Sequence, residues 1–109
     1  MDEVIVVLTN LPDRAAALKL AQELVSSRLA ACVNVLAECA SVYRWKGEIE
    51  SAAEIPVLIK TRSARYAEVE AAIRRLHPYE LPEIVAVPVV RGSSEYLDWV
   101  AAETTIAIG

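Results

Sequence analysis

The chain has 109 residues, 55% of them hydrophobic and 24% charged, with a net charge of −4. This length fits one domain over residues 1–109, and no block of Lys and Arg offers a nucleic-acid-binding face. No apolar run approaches the roughly 20 residues of a membrane span, and no basic region precedes the first apolar run, which predicts a cytoplasmic protein outside the membrane. Apolar content above the usual level of about 45–50% predicts burial between subunits.

A strand and a helix are predicted first. The run from Glu3 to Leu8 is apolar and β-branched, which is typical of a strand buried on both faces. Pro12 suits the first helical position, and Asp13 suits the positive end of a helix. The apolar stripe predicted for this helix consists of Leu18, Ala21, Val25 and Leu29.

A long hairpin is predicted next. The segment "ACVNVLAECASVYRW" is rich in strand-forming residues, and Gly47 in the following "KG" is free to take the positive φ of a tight turn. The chain returns through "EIESAAEIPVLIKTR", with its buried part at Ile55–Ile59. Pro56 requires a bulge or an edge position there.

A second helix and a fourth strand follow. Ser63 is predicted to cap the helix, and Pro78 to end it. Its apolar stripe consists of Tyr66, Val69, Ile73 and Leu76. The segment "EIVAVPVV" predicts a strand, with Pro88 favouring an edge position.

The last segment predicts a turn at Gly92, a short helix capped by Ser94 and a small strand over "IAIG". The whole order is β-α-β-β-α-β with a C-terminal helix. It indicates an α+β ferredoxin-like sandwich, in which both helices pack on one face of a four-stranded antiparallel sheet.

The hairpin is too long for a compact monomer. As one strand, the 15 residues from Ala31 to Trp45 would span about 50 Å, against a domain diameter of roughly 35 Å. A break near residues 37–40 would shorten the hairpin, but protrusion is the favoured interpretation. Protruding edges need another chain to pair with, which predicts a closed ring of subunits. The hairpin contacts predicted for this assembly are Val42, Tyr43, Trp45, Gly47 and Ile49.

His77 is the only histidine and stands directly before Pro78. As a positively charged residue at a helix C-terminus it would interact favourably with the carbonyl ends, which favours a structural role. The alternative role, a metal ligand, needs partners from elsewhere, because no second histidine lies at ligand spacing.

A ligand cleft between subunits is the second functional hypothesis. The residues predicted to line it are Tyr43, Trp45, Lys60, Tyr79 and Glu83. For the aromatic residues the alternative is interface packing, and for Lys60 with Glu83 it is an ion pair between strands.

The two cysteines, Cys32 and Cys39, are too few for a disulfide framework. A thiolate would suit Cu(I) or Zn(II), but core packing is the expectation for Cys32, and Cys39 is expected to be more exposed. No nucleophile motif, P-loop or CxxC is present, so the chain is predicted not to be an enzyme.

The chain resembles the CutA family of divalent-cation tolerance proteins over nearly its whole length. The resemblance rests on "PDRAAALKLAQELVSSRLAACVNV", "SVYRWKGEIE", "IPVLIKTR", "LHPYELPEIVAVPV" and "EYLDWV", in this order. It implies a ferredoxin-like homotrimer similar to PII signalling proteins, which bind small effectors between subunits. Members are associated with tolerance to copper and other divalent cations, and related animal proteins with acetylcholinesterase processing.

The family's copper ligands carry over only in part. Some members use a cysteine late in the first strand and two adjacent histidines before "PY". Here Thr9 and Leu76 stand at the first two of these positions, and only His77 matches.

Three hypotheses follow. The first is a CutA-like trimer that needs no cofactor and binds copper or another divalent cation weakly near His77. The second is a PII-like module in which Lys60, Arg62 and a His77 imidazolium attract an anionic effector. The third is an assembly scaffold without a ligand.

Overall fold

The computed structural model describes residues 3–105. Its elements are β1 (Val4–Leu11), α1 (Arg14–Ser26), β2 (Cys32–Val35), β3 (Cys39–Trp45), β4 (Glu48–Arg62), a 3₁₀ turn (Ser63–Arg65), α2 (Tyr66–Leu76), β5 (Val85–Pro88) and α3 (Ser94–Glu103). The strand predicted over "IAIG" lies outside the described residues. Within the described range, no helix combines the length and the apolarity that a membrane crossing requires.

The five strands form an antiparallel sheet in the order β2-β4-β1-β5, and β3 pairs with the outer half of β4. The two crossover helices and this strand order are those of a ferredoxin-like fold, as predicted. The register of the central pair runs from Val4 opposite Arg62 to Leu11 opposite Ile55. Pro88 lies on β5 at the edge of the described sheet, where a missing amide donor costs no ladder bond.

One face of the sheet carries the core. Alternate residues of β1 and β4 point towards α1 and α2, and the other residues of β1 are only half-buried. The prediction that β1 is buried on both faces is therefore wrong for the single chain, because α3 covers only part of the second face. The buried cluster consists of Ile5, Val7, Leu11, Ala17, Leu20, Leu24, Ala30, Ile55, Val57, Ile59, Val69, Ala72 and Ile73.

Helix α1 begins two residues later than predicted, at Arg14, and buries a different stripe. Asp13 is its N-cap, and the Asp13 carboxylate accepts a hydrogen bond from the Ala16 amide at 2.8 Å, so Pro12 precedes the helix. Two predicted stripe residues, Leu18 and Val25, are 46% and 45% exposed. The buried stripe is Ala17, Leu20 and Leu24.

Helix α2 agrees with its predicted stripe and its predicted end. Ser63 does not cap it: the residue lies in the preceding 3₁₀ turn, and no side chain caps either start. The helix ends at Leu76, and His77 before Pro78 is extended, with ψ 132°.

Helix α3 begins at Ser94, but its cap is Ser93 rather than the predicted Ser94. The Ser93 hydroxyl accepts a hydrogen bond from the Tyr96 amide at 3.2 Å. Val100 anchors the helix in the interior. On the second face of the sheet, the Arg62 guanidinium donates to the Thr104 hydroxyl at 2.9 Å and to the Thr104 carbonyl at 2.8 Å.

The long hairpin is both broken and protruding. The break separates β2 from β3 at residues 36–38, and Pro56 of β4 lies opposite it, where the Leu36 amide donates to the Pro56 carbonyl at 2.9 Å. The missing amide of Pro56 therefore faces the gap between β2 and β3, where no strand is paired with β4. Pro56 lies in a central strand and not in the edge strand that was one of the predicted positions. β4 runs on unbroken for 15 residues, and the molecule is 48 Å long but only 29 Å and 23 Å across.

The protruding part comprises residues 39–54, which we call the arm. Its turn has the predicted positive φ at Gly47 (84°), and Lys46 also has a positive φ (49°). Two successive positive φ values define the type I′ hairpin turn, whose twist matches that of paired strands.

Candidate functional site

An open groove of about 820 Å³ lies where the arm leaves the sheet. β1 ends opposite Ile55, so the residues of β4 that precede Ile55 have no neighbour on the β1 side. The loop that follows α2 crosses the space left there. The arm forms one wall of the groove and residues 78–83 form the other, with Asn10 between them. The Asn10 amide donates to the Glu83 carboxylate at 3.1 Å and ties this loop to the end of β1.

The two faces of the arm differ in chemistry. Because cross-strand partners share a face, Tyr43 pairs with Glu50, and Cys39 pairs with Glu54, on the side that lines the groove. The opposite face carries Val42 and Ile49, which are 73% and 69% exposed. The arm thus presents an aromatic and acidic surface to the groove, whereas the outer face combines Val42 and Ile49 with Arg44, the cross-strand partner of Ile49.

Glu54 is the buried charge of the groove. It is only 8% exposed, and no Lys, Arg or His within residues 3–105 forms an ion pair with it. The Tyr79 hydroxyl lies near enough to it for the Glu54 carboxylate to act on the hydroxyl electrostatically. Partial burial raises the pKa of Tyr79 above its ordinary value of 10.0, and the nearby Glu54 carboxylate raises it further.

His77 is held by the backbone on both sides of its ring. The Tyr79 amide donates to Nδ1 at 3.1 Å, so Nδ1 carries a lone pair and Nε2 carries the proton that bonds the Asn10 carbonyl. The residue is 8% exposed, and its ring centroid lies 4.6 Å from that of Tyr79. This arrangement pins the loop after α2 to β1, and it contradicts the predicted imidazolium.

Four of the five residues predicted for a ligand cleft line this groove: Tyr43, Trp45, Tyr79 and Glu83. Lys60 does not, because its ammonium group donates to Asn34 Oδ1 at 2.6 Å on the second face of the sheet. Glu83 bonds Asn10, so the suggested ion pair between Lys60 and Glu83 does not form. Lys46 Nζ lies 5.5 Å from the centroid of the Trp45 ring and occupies one side of it.

The sequence analysis missed Glu54 and Asn10. Glu54 stands directly before the apolar run of β4, and a carboxylate at the start of a buried strand is a signal that could have indicated it. Asn10 gave no signal, because its role depends on the loop that folds against it some 70 residues later in the chain.

The cysteines do not form a site together. Both are free and half-buried; the Cys32 thiol faces Asn34 Oδ1 at 3.8 Å, and the Cys39 thiol lies 3.7 Å from the Ser41 hydroxyl. Across residues 3–105, no three His, Cys, Asp or Glu side chains lie close enough to share a metal ion. Thr9 is 2% exposed, and its hydroxyl has no hydrogen-bond partner among the described residues.

The fold places the protein in the class of α+β ferredoxin-like proteins, here with a long arm that protrudes from the sheet. A family model described as "CutA1 divalent ion tolerance protein" matches residues 5–103. The chain therefore belongs to the CutA1 divalent ion tolerance protein family.

Individual relatives agree with this assignment. The divalent-cation tolerance protein CutA of Thermus thermophilus is 42% identical over 99 residues, which are 91% of this chain and 96% of that protein. The human protein CutA is 41% identical over 93 residues, or 85% of this chain but only 52% of its own length. A relative from Arabidopsis thaliana is named as chloroplastic.

Solved structures agree equally well. The Thermus thermophilus protein superimposes with a TM-score of 0.91 at 41% identity, covering 94% of this chain and 99% of that one. A protein from Archaeoglobus fulgidus, described as a periplasmic divalent cation tolerance protein, gives 0.91 at 35% identity, covering 94% and 99%. Because relatives are named for different compartments, the cytoplasmic location of this chain stays a prediction.

Proposed function

We propose that this chain acts in divalent-cation tolerance as a homotrimer whose arms associate between copies, and that its role is not catalytic. Relatives over nearly its whole length are named for divalent-cation tolerance. The observation that carries the proposal of assembly is the arm, which projects apolar side chains and free strand edges away from the chain's own core.

The edges of the arm favour association. β3 pairs only with β4, and the outer half of β4 pairs only with β3 within the described chain. Such edges pair with other chains unless they are protected. Burying Val42 and Ile49 would contribute about 1.5–3 kcal/mol for each fully covered side chain.

A second apolar surface lies on the sheet face opposite α1 and α2. Val85 and Val87 of β5 are 47% and 45% exposed, and they share this face with Leu8 and Val6, their partners on β1. Assembly through this face and through the arms would cover surface that a single chain leaves open. The number of three copies rests on the resemblance to PII-like trimers.

Copper or another divalent cation at His77 is the weaker part of the proposal. Both ring nitrogens are engaged, so a metal ion would have to break one of two hydrogen bonds to bind. A tolerance role that works through the assembled protein does not need a chelating site within one chain. Titration of the native protein and of His77→Ala with Cu(II) tests whether the metal binds at His77. If it does, the variant should bind Cu(II) more weakly; if the tolerance role needs no site at His77, the affinity should be unchanged.

An anionic effector is disfavoured by the charges of the groove. Four carboxylates line it (Glu50, Glu54, Glu80 and Glu83) against the single guanidinium of Arg44. Lys60 and Arg62, which were expected to attract an anion, form hydrogen bonds with Asn34 and Thr104 elsewhere. An effector role in the PII manner would therefore require a ligand of positive charge.

The assembly is tested by light scattering. We expect the native protein to have the mass of three 11.9-kDa chains, and Ile49→Asp to lower that mass by placing a charge on the apolar face of the arm. Leu18→Asp is the matched control, since Leu18 is an exposed leucine outside the arm. A native particle of one chain, or an Ile49→Asp protein that is still trimeric, would contradict the proposed assembly.

The tolerance role is tested in cells. A strain that lacks the protein should grow less well than its parent as Cu(II), Zn(II) or Co(II) is raised, and the native gene should restore growth. Complementation with Ile49→Asp then measures how far the role depends on assembly. Equal growth of the deletion strain and its parent at every metal concentration would exclude the role.

A further inference from the structure

Glu54 poses an energetic problem within the single chain. A carboxylate removed from water loses hydration energy that normally only a cation or several hydrogen bonds can restore. Glu54 is 8% exposed, yet the polar group near it is the neutral hydroxyl of Tyr79, and no basic side chain within residues 3–105 pairs with it. The groove therefore holds a buried negative charge without a matching positive one.

Aromatic rings line the same groove. Tyr43 and Trp45 line the arm wall of the groove, and Tyr79 lines the loop wall. The faces of such rings attract cations, most strongly where water is excluded. Lys46, which lies 5.5 Å from the Trp45 centroid, already gives one example of this attraction within the chain.

The geometry selects an organic cation over a metal ion. A divalent metal needs several ligands within bonding distance of one point, and the described residues offer no such cluster. An ammonium or guanidinium group needs only one carboxylate and flat apolar walls for its carbon skeleton. The groove, at about 820 Å³, is of the size that small-molecule sites have.

We propose that the groove binds a small organic cation, a molecule carrying a primary ammonium or guanidinium group, with the Glu54 carboxylate as its charge partner and Tyr43 and Tyr79 as its walls. The cation hydrogen-bonds Glu54, and its carbon skeleton lies against the rings. Glu50, Glu80 and Glu83 attract it to the mouth of the groove. This inference goes beyond the tolerance role and does not depend on it.

The probes are L-arginine methyl ester and butylammonium, with 1-butanol as the neutral analogue, titrated calorimetrically into the full-length native protein. We expect saturable binding of both cations that weakens with added NaCl, and none of the alcohol. Glu54→Gln keeps the size of the side chain and removes its charge, and should weaken binding about tenfold or more. Glu38→Gln, which removes an exposed carboxylate outside the groove, should bind as the native protein does.

Two further variants separate recognition from folding. Tyr79→Phe keeps the ring and removes the hydroxyl near Glu54, so cation binding should persist. Tyr43→Ala removes a wall of the groove and should weaken binding several-fold even if Glu54→Gln fails to fold. Binding by Trp45 fluorescence, measured in a Trp99→Phe background, places the probe in the groove, because these are the two tryptophans of the chain.

Three results would overturn the inference. The first is binding of the cations no stronger than that of 1-butanol, and the second is an unchanged affinity in a folded Glu54→Gln protein. The third is binding of L-arginine methyl ester only after Ile49→Asp has broken the assembly. This result would mean that a basic side chain of a second copy fills the groove in the intact assembly. None of these results bears on growth in Cu(II), so failure here is distinct from failure of the tolerance role.

Discussion

The main-chain amide of Tyr79 donates to Nδ1 of His77, two residues earlier, at 3.1 Å. This bond fixes the tautomer of the imidazole and turns Nε2–H towards the Asn10 carbonyl. Through these two hydrogen bonds, the His77 side chain connects the loop after α2 to the end of β1. His77 therefore has a structural contact of the kind that the sequence favoured, but it is made by a ring held between two backbone groups and not by a charged group beside the helix end.

We expect His77→Ala to destabilise the protein by about 1–3 kcal/mol, because it leaves the part-buried Asn10 carbonyl and the Tyr79 amide without their partner. Urea unfolding at matched protein concentrations measures the change, since association would alter the apparent stability. His77→Gln, which keeps an amide donor and acceptor, should recover part of the loss. A variant as stable as the native protein would show that the fastening is dispensable.

Thr9→Val should stabilise the protein by about 1 kcal/mol, because it replaces a buried hydroxyl that has no partner among the described residues with a methyl group of equal size. Thr61→Val is the matched opposite case. Thr61 is fully buried too, but its hydroxyl donates to the Leu29 carbonyl at 2.6 Å, so its loss should destabilise. Thermal unfolding of the two variants should shift in opposite directions; equal shifts would contradict the assignment.

Ser93→Ala should destabilise the protein by about 1 kcal/mol through loss of the cap of α3. Ser94→Ala, one residue along, lies inside the helix, where alanine is the better residue, and should be neutral or slightly stabilising. Denaturant midpoints measured side by side give the comparison. A larger loss of stability in Ser94→Ala than in Ser93→Ala would instead support Ser94 as the cap, as the sequence predicted.

The stability should fall in alkali partly because of Tyr79. Its pKa is raised above 10.0 in the folded chain, so its contribution is complete below that pH and is lost as the pH rises through the folded-state pKa. Tyr79→Phe should flatten this part of the pH dependence. It should also remove one late-ionising tyrosine from the absorbance titration at 295 nm. A titration with the same number of late tyrosines in the variant would refute the assignment.

The sequence predicted the fold because its turn and breaking residues are unambiguous. Gly47 and Pro78 act through backbone geometry that no packing arrangement can override. The stripe of α1 was placed wrongly because Ala and Leu alternate so densely there that two stripes fit. Only the position of the sheet decides that Leu20 and Leu24, rather than Leu18 and Val25, face inwards.

The groove was half predictable for a different reason. Aromatic residues at a hairpin and beside two prolines indicated Tyr43 and Tyr79, but the interaction of Tyr79 with Glu54 joins residues 25 positions apart in the sequence. Lys60 was assigned to the cleft from its place at a strand end. The alternation of side chains along β4 places Lys60 on the other face of the sheet, where its ammonium group donates to Asn34 of β2.

The partners of β4 divide between Glu54 and Ile55. Strands β1 and β2 take residues 55–62, and β3 takes residues 48–54, with none in common. The chain is therefore modular along a single strand: residues 39–54 are removable in principle without altering any registered pair of the inner sheet. If the arm mediates assembly as proposed, grafting this module between relatives would transfer self-recognition while the host retained its own interior.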